Sequence, residues 1–220
     1  MATPDLIEPA PADAEPQPPL RARRVRARLT PGRLVARIIG ALVVVAVAAF
    51  GIWMLTHPQR VSDQFAVWQY EPDAAVTRYA ERSTMTDEGR FLFYASHPAI
   101  AAGDDFAVNC SSQLEDVGIL GCYQHGSQRI YLFDVTDDRL DGIEDVVAAH
   151  EMLHAAWDRL SDGERDILAP LLEAEAATRS ADPEFAKTLE YYAEAEPTER
   201  LNELHSIIGT EFAALGSASA

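Results

Sequence analysis

Five residues of this 220-residue chain combine chemistry with spacing: His150-Glu151-Met152-Leu153-His154, an HExxH pattern. Positions i and i+4 share one face of an α-helix, so His150 and His154 can offer two imidazole nitrogens to a single metal ion, with Glu151 beside it. That donor set suits zinc-dependent hydrolysis of a peptide bond. Zinc activates a water and polarises the carbonyl, while the glutamate acts as general base and passes the proton to the leaving amine. With 6 His and 18 Glu in the chain, the bare pattern arises by chance in roughly one such sequence in a hundred, so its surroundings must decide.

The surroundings are helical and apolar. Ile143, Val146, Val147, Leu153, Trp157 and Leu160 recur at helical spacing, Asp141 or an acidic neighbour can cap the start, and Glu144 and Asp145 fall in the first turn. This predicts a largely buried helix. Two buried imidazoles and a carboxylate are costly without a shared partner, which favours zinc over two histidines merely hydrogen-bonded in a helix interface.

Catalytic zinc takes three protein ligands and keeps a fourth position open, so a third ligand is expected downstream. The run Ala155-Ala156-Trp157-Asp158-Arg159 lacks the Gly and His that a metzincin signature requires. Forty-nine positions after His154 comes Glu203, within Asn202-Glu203-Leu204-His205-Ser206, where it is the first choice and His205 its competitor. Two positions apart, the two point to different helix faces.

The HExxH helix together with this Asn-Glu-x-x-Ser segment resembles the gluzincin metallopeptidases, the thermolysin-like group. The resemblance covers those two short segments. It implies a zincin-like fold, a zinc cofactor, Glu203 as third ligand and a peptide or protein substrate. Ile207 stands where the family pattern places an aspartate, so the group that orients a ligand histidine must come from elsewhere. Asp158, Glu199 and Glu211 are candidates, and Tyr191, Tyr192 and His205 have the chemistry to stabilise a transition-state oxyanion.

The elements that must position these residues follow an N-terminal segment of different character. Residues 1–33 are Pro- and Ala-rich, then Arg-rich, and read as a disordered cytoplasmic tail. Ile38 to Leu55 is eighteen residues without a charge, and residues 34–56 read as one transmembrane signal anchor. A cleaved signal peptide would have a shorter apolar stretch and a small-residue cleavage site. The arginines put the N-terminus in the cytoplasm and the rest of the chain outside. Residues 1–60 carry 8 Arg against 4 acidic residues, and the remainder 10 basic against 31 acidic, a net of −21. Such a domain repels nucleic acid and anionic lipid alike. Cys110 and Cys122 both follow the anchor and are expected to pair as a disulfide in an oxidising compartment.

Residues 61–214 give one domain's worth of chain, expected to be α+β, with a small β-sheet and a mainly helical metal-binding half. Asp63 to Trp68 reads as a connection, and Pro72 to Arg82 and the stretch after Thr86 as helices. Strands are expected at Phe106–Cys110, Gly118–Gln124 and Arg129–Val135, the last two forming a hairpin. Either hairpin strand could be the sheet edge that aligns an extended peptide. Further helices are expected from Ser161 with Glu164 as a capping box, after Asp182-Pro183, and after Glu196-Pro197. Besides the membrane-anchored peptidase, two functions suit these residues: a noncatalytic, zinc-braced binding or scaffold module at the cell envelope, and a hydrolase of nonpeptide amides. Glu151, which a structural zinc site does not need, favours an enzyme.

Overall fold

Proline at position 31 opens the first helix at little cost, because the first N–H groups of a helix have no intrahelical partner. That helix, α1 (Pro31–Thr56), carries the apolar run and begins three residues before the expected span. In this computed structural model, residues 31–110, 119–195 and 198–211 are described. Among them α1 is the one helix long and apolar enough to cross a membrane, and its large apolar side chains from Leu34 to Trp53, with Leu55, are exposed. The expected tail lies, up to residue 30, outside the described residues, as do 212–214 of the expected domain. The chain divides into two units, one ending at Gly51 and one beginning at Ile52.

The second unit is mostly helical with one small sheet. The expected connection at 63–68 is instead helical, within α2 (Pro58–Gln69), again with proline in the first turn. Its inward residue Asp63 is 3 % exposed and meets Arg159, a tertiary ion pair that no local pattern announces. Helix α3 (Ala74–Arg82) is capped by the Asp73 side chain, and α4 (Asp87–Ala95) by Thr86, which accepts from Gly89 N. His97 then turns the chain with a left-handed φ of 43°.

Three strands follow in the spatial order β1-β3-β2, with β1 (Ala99–Ala101) parallel to β3 (Arg129–Phe133) and β2 (Gly121–Gln124) antiparallel to it. The expected hairpin forms, with Cys122 opposite Tyr131. Its second strand lies in the centre of the sheet and stops at Phe133, so of the two expected edge strands only β2 stands at an edge among the described residues, and Gly118 lies outside them. The expected strand at Phe106–Cys110 is wrong. Those residues belong largely to α5 (Gly103–Asn109), with Asp104 and Asp105 in its first turn. Phe106 is buried against Phe133 while Val108 is 79 % exposed, whereas a strand would have put both on one face. β1 escaped notice because three residues are too few to show a period. Cys110 and Cys122 form a disulfide between α5 and β2.

After a 3-10 turn at Asp138–Leu140, α6 (Ile143–Asp158) carries the HExxH motif. Gly142, not Asp141, is its cap: the φ of 96° there suits glycine, and Asp141 instead pairs with Arg82. The Ser161/Glu164 capping box opens α7 (Asp162–Arg179), followed by α8 (Pro183–Ala195) and α9 (Arg200–Glu211).

Helix α6 lies between two apolar clusters. Ala148 and Ala155 join Val76, Phe93, Ile130 and Leu132 of α3, α4 and the sheet. Trp157 joins Leu172, Phe185, Leu204 and Ile207 of the last three helices. Each fully buried large side chain contributes roughly 1.5–3 kcal/mol, which holds α6 between the two layers. Gly209 permits α9 to approach closely, since a Cβ there would stand 2.5 Å from Leu153 Cδ1.

Candidate metal centre

The close pairing of α6 with α9 brings the two halves of the sequence pattern together. Ligand atoms of His150, His154 and Glu203 lie within 4.8 Å of one another, and the three can hold a metal ion. His154 Nε2 is 3.6 Å from Glu203 Oε1, and His150 Nε2 is 3.9 Å from Glu203 Oε2. Two ligands about 2.1 Å from a tetrahedral ion stand about 3.4 Å apart, so the two separations from Glu203 are close to those of a metal site, and the N/N/O donor set is one that a divalent cation takes. Glu203 is 2 % exposed and His154 8 % exposed.

Burial keeps both imidazoles neutral. It pushes the His150 pKa down to about 3, helped by His154 and His205. It pushes His154 down to about 4, opposed by the Asn202 hydrogen bond. A neutral imidazole is the form that offers a lone pair to a cation.

The tautomer of His154 follows from its neighbours. Asn202 Nδ2 donates to Glu199 Oε2 at 3.3 Å, which turns the amide oxygen towards His154. Oδ1 then accepts from His154 Nδ1–H at 3.0 Å, and Ser206 Oγ lies 3.2 Å from the same nitrogen. Nε2 is left with its lone pair facing Glu203. This amide relay fills the place for which an aspartate was sought. Of the three expected candidates, Glu199 contributes indirectly, by orienting Asn202. Asp158 accepts from Tyr123 OH at 2.7 Å and also meets His125 and Gln128. The Glu211 side chain lies outside the described residues. Asn202 and Ser206 had been visible only as letters of a motif; their i,i+4 spacing, which stacks both on one face of α9, was the available signal.

Glu151 sits under the edge strand. A Cβ at position 121 would fall 2.9 Å from Glu151 Oε1 and 2.5 Å from Val147 Cγ1, so Gly121 is what lets β2 come this near. Glu151 is 6 % exposed. Of the remaining candidates, Tyr192 lies nearly parallel to His150 with ring centroids 6.4 Å apart, and Tyr191 packs edge-on against Tyr192. His205 turns to the Trp157 ring at 5.5 Å, and its pKa is lowered by burial. The structure therefore brings Glu203, not His205, to the two histidines of the motif.

No protein-family model matches this chain, and no curated protein and no solved structure does either.

Proposed function

We propose that this chain is a membrane-anchored zinc-dependent peptidase, with His150, His154 and Glu203 as ligands and Glu151 as general base. The observation that carries the reading is the convergence of ligand atoms of His150, His154 and Glu203 at separations near those around one tetrahedral ion, with two of the three on the helix that also bears Glu151. Zinc bound there would supply Lewis acidity and an activated water. The chain's own role is to hold His154 in one tautomer through Asn202, to keep both imidazoles neutral by burial, and to offer the Glu151 carboxylate as proton acceptor and donor. A peptide would approach along β2, the edge strand over Glu151.

For the anchor, the support is the apolar helix α1 preceded by an arginine cluster, with the Cys110–Cys122 disulfide beyond it. These favour a cytoplasmic N-terminus and an extracytoplasmic domain.

The burial of Glu151 and Glu203 favours a second reading, in which zinc only braces α6 against α9 and the domain serves as a binding or scaffold module. One experiment separates the two. The purified full chain should contain one zinc per molecule and hydrolyse a mixed peptide library, and Glu151→Gln should keep the zinc and abolish hydrolysis. Zinc with no hydrolysis in the unsubstituted chain would favour the bracing role, and absence of bound zinc would remove both readings.

A further inference from the structure

Among the described residues after α1, two phenylalanine or tryptophan side chains are left exposed, Phe65 at 50 % and Trp68 at 70 %. They are three positions apart on α2, and their rings meet edge to face at 5.3 Å. The opposite face of α2 is fastened to the domain. Asp63 takes two hydrogen bonds from Arg159, each of 2.9 Å, and Gln59 donates to Gln128. The Ala66 carbonyl meets His97 Nε2 at 2.9 Å, and Arg60 pairs with Glu88. The helix is thus rigidly held with an aromatic pair facing outward.

The position of this pair in the chain points to what covers it. α2 starts two residues after α1 ends, and His57 between them has a non-helical backbone, with φ −127° and ψ 57°. α2 is therefore a separate helix that does not have to continue the direction of α1. Its 12 residues span about 18 Å, whereas the headgroup layer on one side of a bilayer is only about 5–8 Å deep. Both rings fall in that layer if α2 lies along the surface, and Trp68 leaves it if α2 points away. Trp is the side chain most at home there, since its ring is apolar and its N–H can still find a partner. The chain beyond residue 60 has a net charge of −21, so the attraction cannot come from anionic lipid.

We propose that α2 lies in the headgroup layer of the bilayer that α1 crosses, with Phe65 and Trp68 seated among zwitterionic lipids. The proposal rests on α1 being membrane-inserted and not on peptidase activity.

The test uses the full chain in phosphatidylcholine nanodiscs, with nitroxide-labelled lipids as shallow quenchers and iodide as the aqueous one. The fluorescence difference between the unsubstituted chain and Trp68→Ser reports Trp68. It should be quenched by about twofold or more by lipid labelled near the headgroup, equally at low and high salt. Phe65→Ser should weaken this quenching, and Ile167→Ser, an exposed apolar residue on α7, should not. A Trp68 signal quenched by iodide alone would overturn the proposal. So would a signal reached by neither quencher, which would mean that protein covers the ring. Failure of the chain to incorporate into nanodiscs would remove the anchor and this proposal together, leaving the zinc chemistry untouched.

Discussion

The amide oxygen of Asn202 lies 3.0 Å from Nδ1 of His154, and it is oriented by a second hydrogen bond to Glu199. A neighbour of Glu203 therefore sets the tautomer of His154. Under the proposed zinc reading, Asn202→Ala should lower zinc affinity by about 10–100-fold, as measured by competition with a chromophoric chelator. Glu199→Gln, which only loosens the amide, should have the smaller effect. Unchanged affinity in Asn202→Ala would show that Ser206 alone suffices to hold the ring.

Gly121 leaves no room for a side chain between β2 and α6. Gly121→Ala should destabilise the domain by about 1–3 kcal/mol through overpacking, read from chemical denaturation. Under the peptidase reading it should also reduce turnover while leaving zinc content intact, because the atoms it displaces belong to Glu151 and Val147 and not to the ligands.

The sequence made the site easier to read than the sheet. His150, Glu151 and His154 are local, so helical spacing alone placed them, and Ser161 and Glu164 announced their own capping box. Glu203 required an inference across forty-nine positions, which the Asn-Glu-x-x-Ser context supplied. Of the expected strands, the hairpin pair forms and the first, at Phe106–Cys110, fails for a physical reason. Phe106, Ala107 and Val108 mimic a β alternation, yet their structure was decided by one tertiary contact, Phe106 against Phe133, and by two acidic residues opening a short helix. Asp63 was illegible in the same way: its burial depends on Arg159, ninety-six positions away.

That pair is nearly inaccessible on both sides, with side-chain exposures of 7 % for Arg159 and 4 % for Asp63. Removing one partner leaves an uncompensated buried charge, so Asp63→Leu should cost about 3–5 kcal/mol. The double variant Asp63→Leu with Arg159→Leu should be more stable than the two single losses added together, since it strands neither charge. Additive losses in denaturation would show that the pair is not coupled.

Asp158 gives the domain an acid-sensitive contribution whose sign is fixed by its neighbours. Burial raises its carboxyl pKa, but hydrogen bonds from Tyr123, Gln128 and His125 outweigh this and hold it below the ordinary aspartate value. The unfolded chain then takes up the proton first as pH falls. The stabilisation is therefore complete above the unfolded pKa and lost as pH drops through the folded one. Asp158→Asn removes this term at every pH. The stability gap between the two proteins, measured with excess chelator so that metal occupancy is equal, should be widest near neutrality, begin to narrow as pH falls towards the ordinary aspartate value of about 4, and close only once the depressed folded value is passed. Asp145 is the opposite case: burial raises its carboxyl despite the Arg82 guanidinium 2.8 Å away. Relative to Asp145→Asn, the unsubstituted chain should gain stability as pH falls through that raised value. A gap of the same slope for both variants would show that a general acid effect, and not these two environments, governs the response.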